Sequence, residues 1–466
     1  MNQPSPGDPG QPEREGTSLP PGPHLDTSAY QYWERHPLDA IEAARLRYGP
    51  VFTLHRPGKP SRILVGDPEA IKEVFVAHEA DLEARGSSLF GPLVGDHSLG
   101  NMNGAPHRWY RKLLAPGIHG RLLRERAPRI QDITIEAITE GLRHGPVSLR
   151  EVTPDISLRV MILYCFGELP DDRVTTLLAA FNTVIDILRP ASADHITEPL
   201  GIDHDLFRTR CAQLDAVIEA EIALARTDSA PDRQQSLLGL MMAAQDDAAR
   251  PVPDRAIRDQ LVTMMLAGQE STPAAIVQSV YWANRYPEIR ERLLSELRDI
   301  GPSPRVDDIA ALPYLDAVCT EVLRLISVVP TGITRRVVRG FRALGHEFPP
   351  GTEVVPCIHA VHRCAQRYPA PEEFEPGRFR DRTYTSSEYL PYGVGVRRCL
   401  GAALATLETK LVVASIMTFP GLEIRLSGDG RSPGQRTGPT VTAQDSVHLF
   451  TSTTSGGVES SGNTKK

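Results

Sequence analysis

Apolar side chains recur every three to four positions along much of this chain, the spacing that gathers them on one face of an α-helix. Seven stretches carry the pattern: Ile130–Leu142, Asp172–Leu188, Leu206–Ala225, Asp254–Trp282, Glu288–Ile300, Leu315–Ile326 and Gly401–Phe419. Strand-like runs are few, at Val51–Leu54, Ser61–Val65, Gly351–Val355 and Val441–Phe450. The balance predicts a mainly α protein with a small, separate β region. One stretch breaks its own pattern. Asp254–Trp282 opens on a residue suited to an N-cap and shows an apolar face at Ile257, Leu261, Met264 and Met265. In its middle stands Ala267-Gly268-Gln269-Glu270-Ser271-Thr272-Pro273. A carboxylate and hydroxyls inside an apolar helix cost stability unless they face a wet or reactive cavity. Pro273 removes one helical N–H and presses on the carbonyl of Gln269, so with Gly268 it predicts a bulge or kink.

Composition narrows the class. The 466 residues exceed the size of most single cores. Yet the Pro-, Gly- and Ser-rich stretches fall only at the ends, 1–26 and 451–466. They read as disordered tails around one globular unit, 27–450. A net charge of -7 offers no broad basic surface for nucleic acid. No apolar run approaches the roughly 20 residues of a membrane-crossing helix, and the N-terminus has no hydrophobic signal region. A soluble, cytoplasmic protein without a membrane anchor is expected. Cys165, Cys211, Cys319, Cys357, Cys364 and Cys399 are too scattered for a disulfide scaffold, which fits a reducing compartment.

Cys399 has the most informative surroundings. It lies in Tyr392-Gly393-Val394-Gly395-Val396-Arg397-Arg398-Cys399-Leu400-Gly401, directly before a helical pattern at Leu400, Leu404, Leu407, Leu411 and Met417. A sulfur at a helix N-terminus, beside unpaired N–H groups and two arginines, is favoured as thiolate. Gly393 and Gly395 let the backbone pass close to something flat and bulky. One protein thiolate beside fixed positive charge suits a haem iron with acidic propionates. A rival metal site is Cys357-Ile358-His359-Ala360-Val361-His362-Arg363-Cys364, with four possible zinc ligands. In a strand, Cys357 and His359 would share one face and His362 and Cys364 the other, so convergence needs a tight turn that no glycine supplies.

The Cys399 loop resembles the haem-ligand signature of the cytochromes P450, the haem-thiolate monooxygenases: Phe-x-x-Gly-x-Arg/His-x-Cys-x-Gly. Tyr392, Gly395, Arg397, Cys399 and Gly401 fill it, with Tyr392 where the family has phenylalanine. Three further segments carry the resemblance, which spans roughly Gly22 to Phe450. Glu321 and Arg324, with Leu312–Ala317 before them and Phe374–Phe379 after, match the family's buried Glu-Arg-Arg cluster, completed by Arg378. Ala267–Pro273 resembles the oxygen-activating helix, with Glu270 in the acid's place, Ser271 in the usual threonine's place and Thr272 next to it. His107 and Arg111, one helical turn apart in Gly104–Leu114, match a propionate-binding pair, and Arg336 matches another propionate arginine, with Arg335 as the alternative.

The resemblance implies a single-domain cytochrome P450 fold, bacterial in type, holding haem b through the axial thiolate of Cys399. Contacts to the haem would come from His107, Arg111, Arg336, Arg397, Tyr392 and Gly393. The implied reaction inserts one atom of O2 into an apolar small molecule, by hydroxylation or epoxidation, in secondary metabolism. Glu270, Ser271 and Thr272 would be catalytic. No flavin or nicotinamide module is recognisable, so a ferredoxin and a ferredoxin reductase are the expected electron donors, docking through exposed charges such as Arg108, Lys112 and Arg398. The alternatives are a peroxide-driven oxygenase and a haem-binding partner protein without turnover. Substrate contacts would come from Arg85–Asn103, Arg189–Ile202, Val328–Ile333 and Thr442–Ser446, which hold apolar residues such as Leu89, Phe90, Leu93 and Val329.

Overall fold

A computed structural model of the chain describes residues 19–84, 91–194, 203–227, 230–246, 248–301, 304–427, 435–437, 440–442 and 446–451. Residues 1–18 and 452–466 of the expected tails, and Leu89, Phe90, 195–202 and 443–445 of the expected substrate contacts, lie outside the described residues.

Helices build most of the body. Two short ones, α1 (Thr27–Arg35) and α2 (Pro37–Tyr48), precede the larger α3 (Gly104–Ile118), α4 (Gly120–Leu142), α5 (Leu149–Phe166), α6 (Asp171–Asp194) and α7 (His204–Ala225). Then follow α8 (Asp254–Gly268), α9 (Ser271–Arg285), α10 (Pro287–Asp299), α11 (Pro313–Ile326) and α12 (Ala402–Thr418). At the centre α5 packs against α4, α8 and α9, while α9 packs against α11 and α12. Their facing side chains form one large apolar cluster. Periodicity finds the second half of α4 and α6–α12 but misses α1, α2, α3 and α5. In α5 almost every residue from Ile156 to Phe166 is buried, so no polar face marks a period.

The β region has more strands than the sequence runs suggest and is separate only in part, since Val447 and Leu449 of the C-terminal strand join the large helical cluster. Strands β1 (Val51–Leu54), β2 (Arg62–Val65), β3 (Leu82–Ala84), β4 (Val147–Ser148), β5 (Arg335–Val337), β6 (Glu353–Pro356), β7 (Leu422–Ser427) and β8 (Ser446–Thr451) fall into two sheets. The first has the order β1-β2-β6-β5-β3 and is antiparallel except for β2 with β6. The second is antiparallel, β4-β8-β7. The first sheet has apolar clusters of its own around Phe75 and Phe52.

Three sequence expectations change. Residues 20–25, assigned to the N-terminal tail, run along β1. The N–H groups of Thr53 and His55 donate to the carbonyls of Pro21 and Pro23 at 3.1 and 3.0 Å. Gly22 lies so close that a Cβ there would meet the Thr53 carbonyl at 1.8 Å. Asp254–Trp282 is two helices rather than one kinked helix. Gln269 and Glu270 separate them, and Pro273 falls in the first turn of α9, where its missing N–H needs no helical partner. Asp254 is the first residue of α8 rather than its cap, and pairs with Arg226. Finally, Cys357–Cys364 is not a strand, because β6 ends at Pro356 and Ile358–His362 is helical. His359 turns to Ser327 at 3.3 Å, and His362 Nε2 accepts the Leu390 N–H at 3.1 Å. Among the described residues no group of three or more His, Cys, Asp or Glu is placed to hold a metal ion.

Candidate active site

Two left-handed glycines shape the Cys399 loop. Gly393 has φ 76° and Gly395 φ 64°, and a Cβ on Gly395 would sit 3.1 Å from the Phe75 carbonyl. The Cys399 N–H donates to the Tyr392 carbonyl at 2.7 Å and the Arg398 N–H to the Gly395 carbonyl at 3.0 Å, closing a hairpin. Helix α12 starts at Ala402, so the sulfur stands just before a helix N-terminus. It opens into a cavity of about 330 Å³. Burial nevertheless pushes the thiol up from its ordinary pKa, and the Gly401 N–H, Arg111 and Arg398 offset this only in part. That corrects the expectation from sequence. The helix end and arginines alone do not make the thiolate, which a coordinated metal ion would.

The same cavity is walled by α8 and α9 through Met264, Ala267, Gly268, Ser271, Thr272 and Ala275, and elsewhere by Leu323, Val328, Val329 and Ile333. Gly268 is where α8 meets α5, since a Cβ there would come within 2.5 Å of Met161 Cγ. Ser271 and Thr272 both line the space, and Ser271 Oγ donates to the Ala267 carbonyl at 3.4 Å. Glu270 lies in the break itself, with φ -118° and ψ -46°. Apart from one cationic side, a few hydroxyls and Glu408, the lining is apolar.

That cationic side is the most telling electrostatic feature. His107, Arg111, Arg397 and Arg398 line the cavity. Arg335 approaches from β5, its Nη2 donating to the Val394 carbonyl at 2.9 Å and its guanidinium lying over the Phe75 ring at 4.6 Å. Burial first, then the neighbouring positive charges, pushes His107 down to about 4 and both Arg335 and Arg397 down to about 10. Burial likewise lowers Arg111. Buried Arg335 Nε has no hydrogen-bond partner. Cations that destabilise one another in a buried space make a site for a multiply charged anion. A flat apolar group with two carboxylates, with room for a sulfur–metal bond, fits these residues.

The Cytochrome P450 family pattern matches residues 20–419. The chain belongs to the cytochrome P450 family. Putative cytochrome P450 135B1 of Mycobacterium tuberculosis is 31% identical over 410 residues, 86% of either chain. Putative cytochrome P450 120 of Synechocystis is 27% identical over 382 residues, 80% of this chain and 83% of that one. The fold superposes on retinoic acid bound cyanobacterial CYP120A1 with a TM-score of 0.77 at 24% identity, covering 89% of this chain and 94% of that one. It superposes on the cytochrome P450DA heme domain with a TM-score of 0.80 at 20% identity, covering 93% and 97%. Cytochromes P450 bind haem through a cysteine thiolate, so this P450 is a haem-dependent oxidoreductase of the monooxygenase class, supplied with electrons by a redox partner. No described helix is long and apolar enough to cross a membrane.

The structure brings most of the sequence-predicted residues of this P450 to the one cavity: Cys399, His107, Arg111, Arg397, Tyr392, Gly393, Ser271 and Thr272 all line it. Arg336 does not. In β5 side chains alternate, and pairing with β3 and β6 turns Arg335 and Val337 inward, leaving Arg336 exposed. The inward arginine is Arg335. Glu408 also lines the cavity and was not foreseen. It is buried against Ser157 Oγ at 2.5 Å, and burial pushes its carboxyl up to about 8. Behind the loop, Glu321 takes both Arg324 (2.6 and 2.8 Å) and Arg378 (3.0 Å), with all three buried.

Tyr392, the departure from the family's phenylalanine, has a partner. Its hydroxyl lies 2.8 Å from Thr406 Oγ1, which itself donates to the Ala402 carbonyl at 2.8 Å, so Tyr392 is the donor of the pair. The bond ties the start of the loop to the first turns of α12. Thr406→Val should therefore leave a half-buried phenol unpaired and cost about 1 kcal/mol, whereas Tyr392→Phe with Thr406→Val should fall near wild type. Thermal unfolding of the haem-loaded variants checks this. A double variant as unstable as Thr406→Val alone would show that the hydroxyl is paired elsewhere.

Proposed function

We propose that Cys399 is the axial ligand, that His107, Arg111, Arg335 and Arg397 hold the haem propionates, and that the enzyme hydroxylates or epoxidises an uncharged apolar molecule of secondary metabolism. The observation that carries this reading is that one cysteine, the basic groups His107, Arg111, Arg397 and Arg398, and the residues on either side of the helix break, Gly268, Ser271 and Thr272, line a single largely apolar cavity. When bound, haem supplies the activation of O2. The protein's own residues do the rest. The apolar wall of Leu323, Val328, Val329 and Ile333 binds substrate and excludes water. Ser271 can exchange its bond to the Ala267 carbonyl for one to a water in the cavity, and Glu270 beside it is the acid that replaces the delivered proton. Exposed Arg108, Lys112 and Arg398 suit docking by an acidic ferredoxin, and a cytoplasmic location is consistent with that partner.

Ser271→Ala should retain haem and substrate binding, because a small hydroxyl facing a cavity adds little to folding. Its reducing equivalents should leave as hydrogen peroxide instead of product, and Ser271→Thr should restore coupling. Peroxide and product measured against NADH consumed with a surrogate ferredoxin system give the answer. Full coupling in Ser271→Ala together with uncoupling in Thr272→Ala would assign the proton step to Thr272.

A further inference from the structure

We infer that Asp259, Gln260 and Thr263 are substrate-positioning residues: they clamp the strap 97–102 onto α8 and so fix the cavity wall made by Leu99 and Gly100. The inference rests on the proposed reading of this cavity as the haem and substrate site. Three consecutive strap residues are matched by one face of α8. Asp259 Oδ2 accepts the His97 N–H at 3.0 Å and lies 3.2 Å from His97 Nδ1. Gln260 acts as a neighbouring strand would, its Oε1 accepting the Leu99 N–H at 3.2 Å while its Nε2 donates to the His97 carbonyl. Thr263 Oγ1 lies 2.8 Å from Ser98 Oγ.

The clamp is built rather than incidental. Asp259 and Gln260 are fully buried, and an unpaired carboxylate or amide there would be costly. Gly95, with φ 76°, lets the strap approach so closely that a Cβ would sit 2.2 Å from the Asp259 carboxylate. On the other side Arg258, itself buried, spans from Asp259 (3.0 Å) to Asp215 on α7 (2.6 Å), with Arg255 at 3.5 Å from both aspartates. The far end of the strap is held by Arg397, which donates to the carbonyls of Leu99 (3.4 Å) and Met102 and to Asn103. A loop that only connected two helices would leave its backbone to water. Here each polar backbone group from His97 to Leu99 that meets α8 has a buried side-chain partner, and what the strap presents to the cavity is Leu99 and Gly100.

The test uses the haem-loaded enzyme with two axial probes, imidazole and the bulkier phenylimidazole, whose ring must rest on the cavity wall. Gln260→Leu should release phenylimidazole about tenfold faster while changing imidazole release by about twofold or less. Amide hydrogen exchange across 95–103 should quicken by a similar factor, about tenfold, with Gln260→Glu, which keeps the acceptor and loses the donor, in between. If Gln260→Leu does not load haem, Ser98→Ala makes the same comparison, with about threefold expected. Unchanged phenylimidazole release, or unchanged exchange in the strap, would overturn the inference. Failure of the wild type to bind either probe would overturn the haem reading and the inference with it, whereas equal acceleration of both probes overturns the inference alone.

Discussion

Glu321→Ala should destabilise the protein by about 3–5 kcal/mol and abolish stable haem incorporation. The carboxylate is fully buried and satisfies two arginines, Arg324 and Arg378, as well as the Glu375 N–H at 2.9 Å. Arg324 in turn donates to the carbonyls of His362, Pro371 and Glu373 at 2.8–3.0 Å. Removing the acid therefore strands two buried cations and loosens the segment 362–378, which holds the chain just before the Cys399 loop through the His362–Leu390 and Tyr368–Glu388 bonds. Arg324→Ala should do comparable damage, because it strands the acid and three carbonyls. An exposed pair such as Arg298–Glu291, 63% and 66% exposed, should be worth less than about 1 kcal/mol and serves as the control. Chemical unfolding and the haem-to-protein ratio after purification report both effects. A Glu321→Ala variant that purifies with full haem and unfolds like wild type would show the cluster to be dispensable.

Much of this arrangement was legible in the sequence, and what was not has identifiable physical causes. Amphipathic helices declare themselves by period, as α8 and α11 do. A disturbance between Gly268 and Pro273 was also readable, but as a kink within one helix rather than a break between two. Helix α5 was illegible because it is apolar nearly all round. The choice between Arg335 and Arg336 was illegible for another reason. In a three-residue strand, adjacent arginines face opposite ways, and only the partners β3 and β6 decide which points inward. Cys399 was found from its local loop, but its thiol was expected to ionise more readily than the folded surroundings allow, because burial cannot be read from flanking residues. The partner of the Tyr392 hydroxyl lies on α12, and the clamp on Leu99 comes from a helix over 150 residues downstream. Such pairings exist only once the chain has folded.

Cys399→Ser should eliminate turnover while leaving the fold intact. Serine is nearly isosteric, the hairpin bond from residue 399 to the Tyr392 carbonyl is backbone, and Gly393, Gly395 and the cation cluster are unchanged. Haem should still be drawn to the cations but without the thiolate, and its affinity should fall. A thiolate ligand donates electron density that neither an alcohol nor an imidazole supplies, and that donation governs both O–O cleavage and the optical spectrum of the carbon-monoxide complex. The measurement that tests the central claim most directly is that spectrum, recorded on the reduced wild type and on Cys399→Ser side by side. The wild type should show the strongly red-shifted Soret band of a thiolate-bound haem, and the variant should lack it. The same red-shifted band in a folded Cys399→Ser protein would contradict the assignment of Cys399 as the ligand.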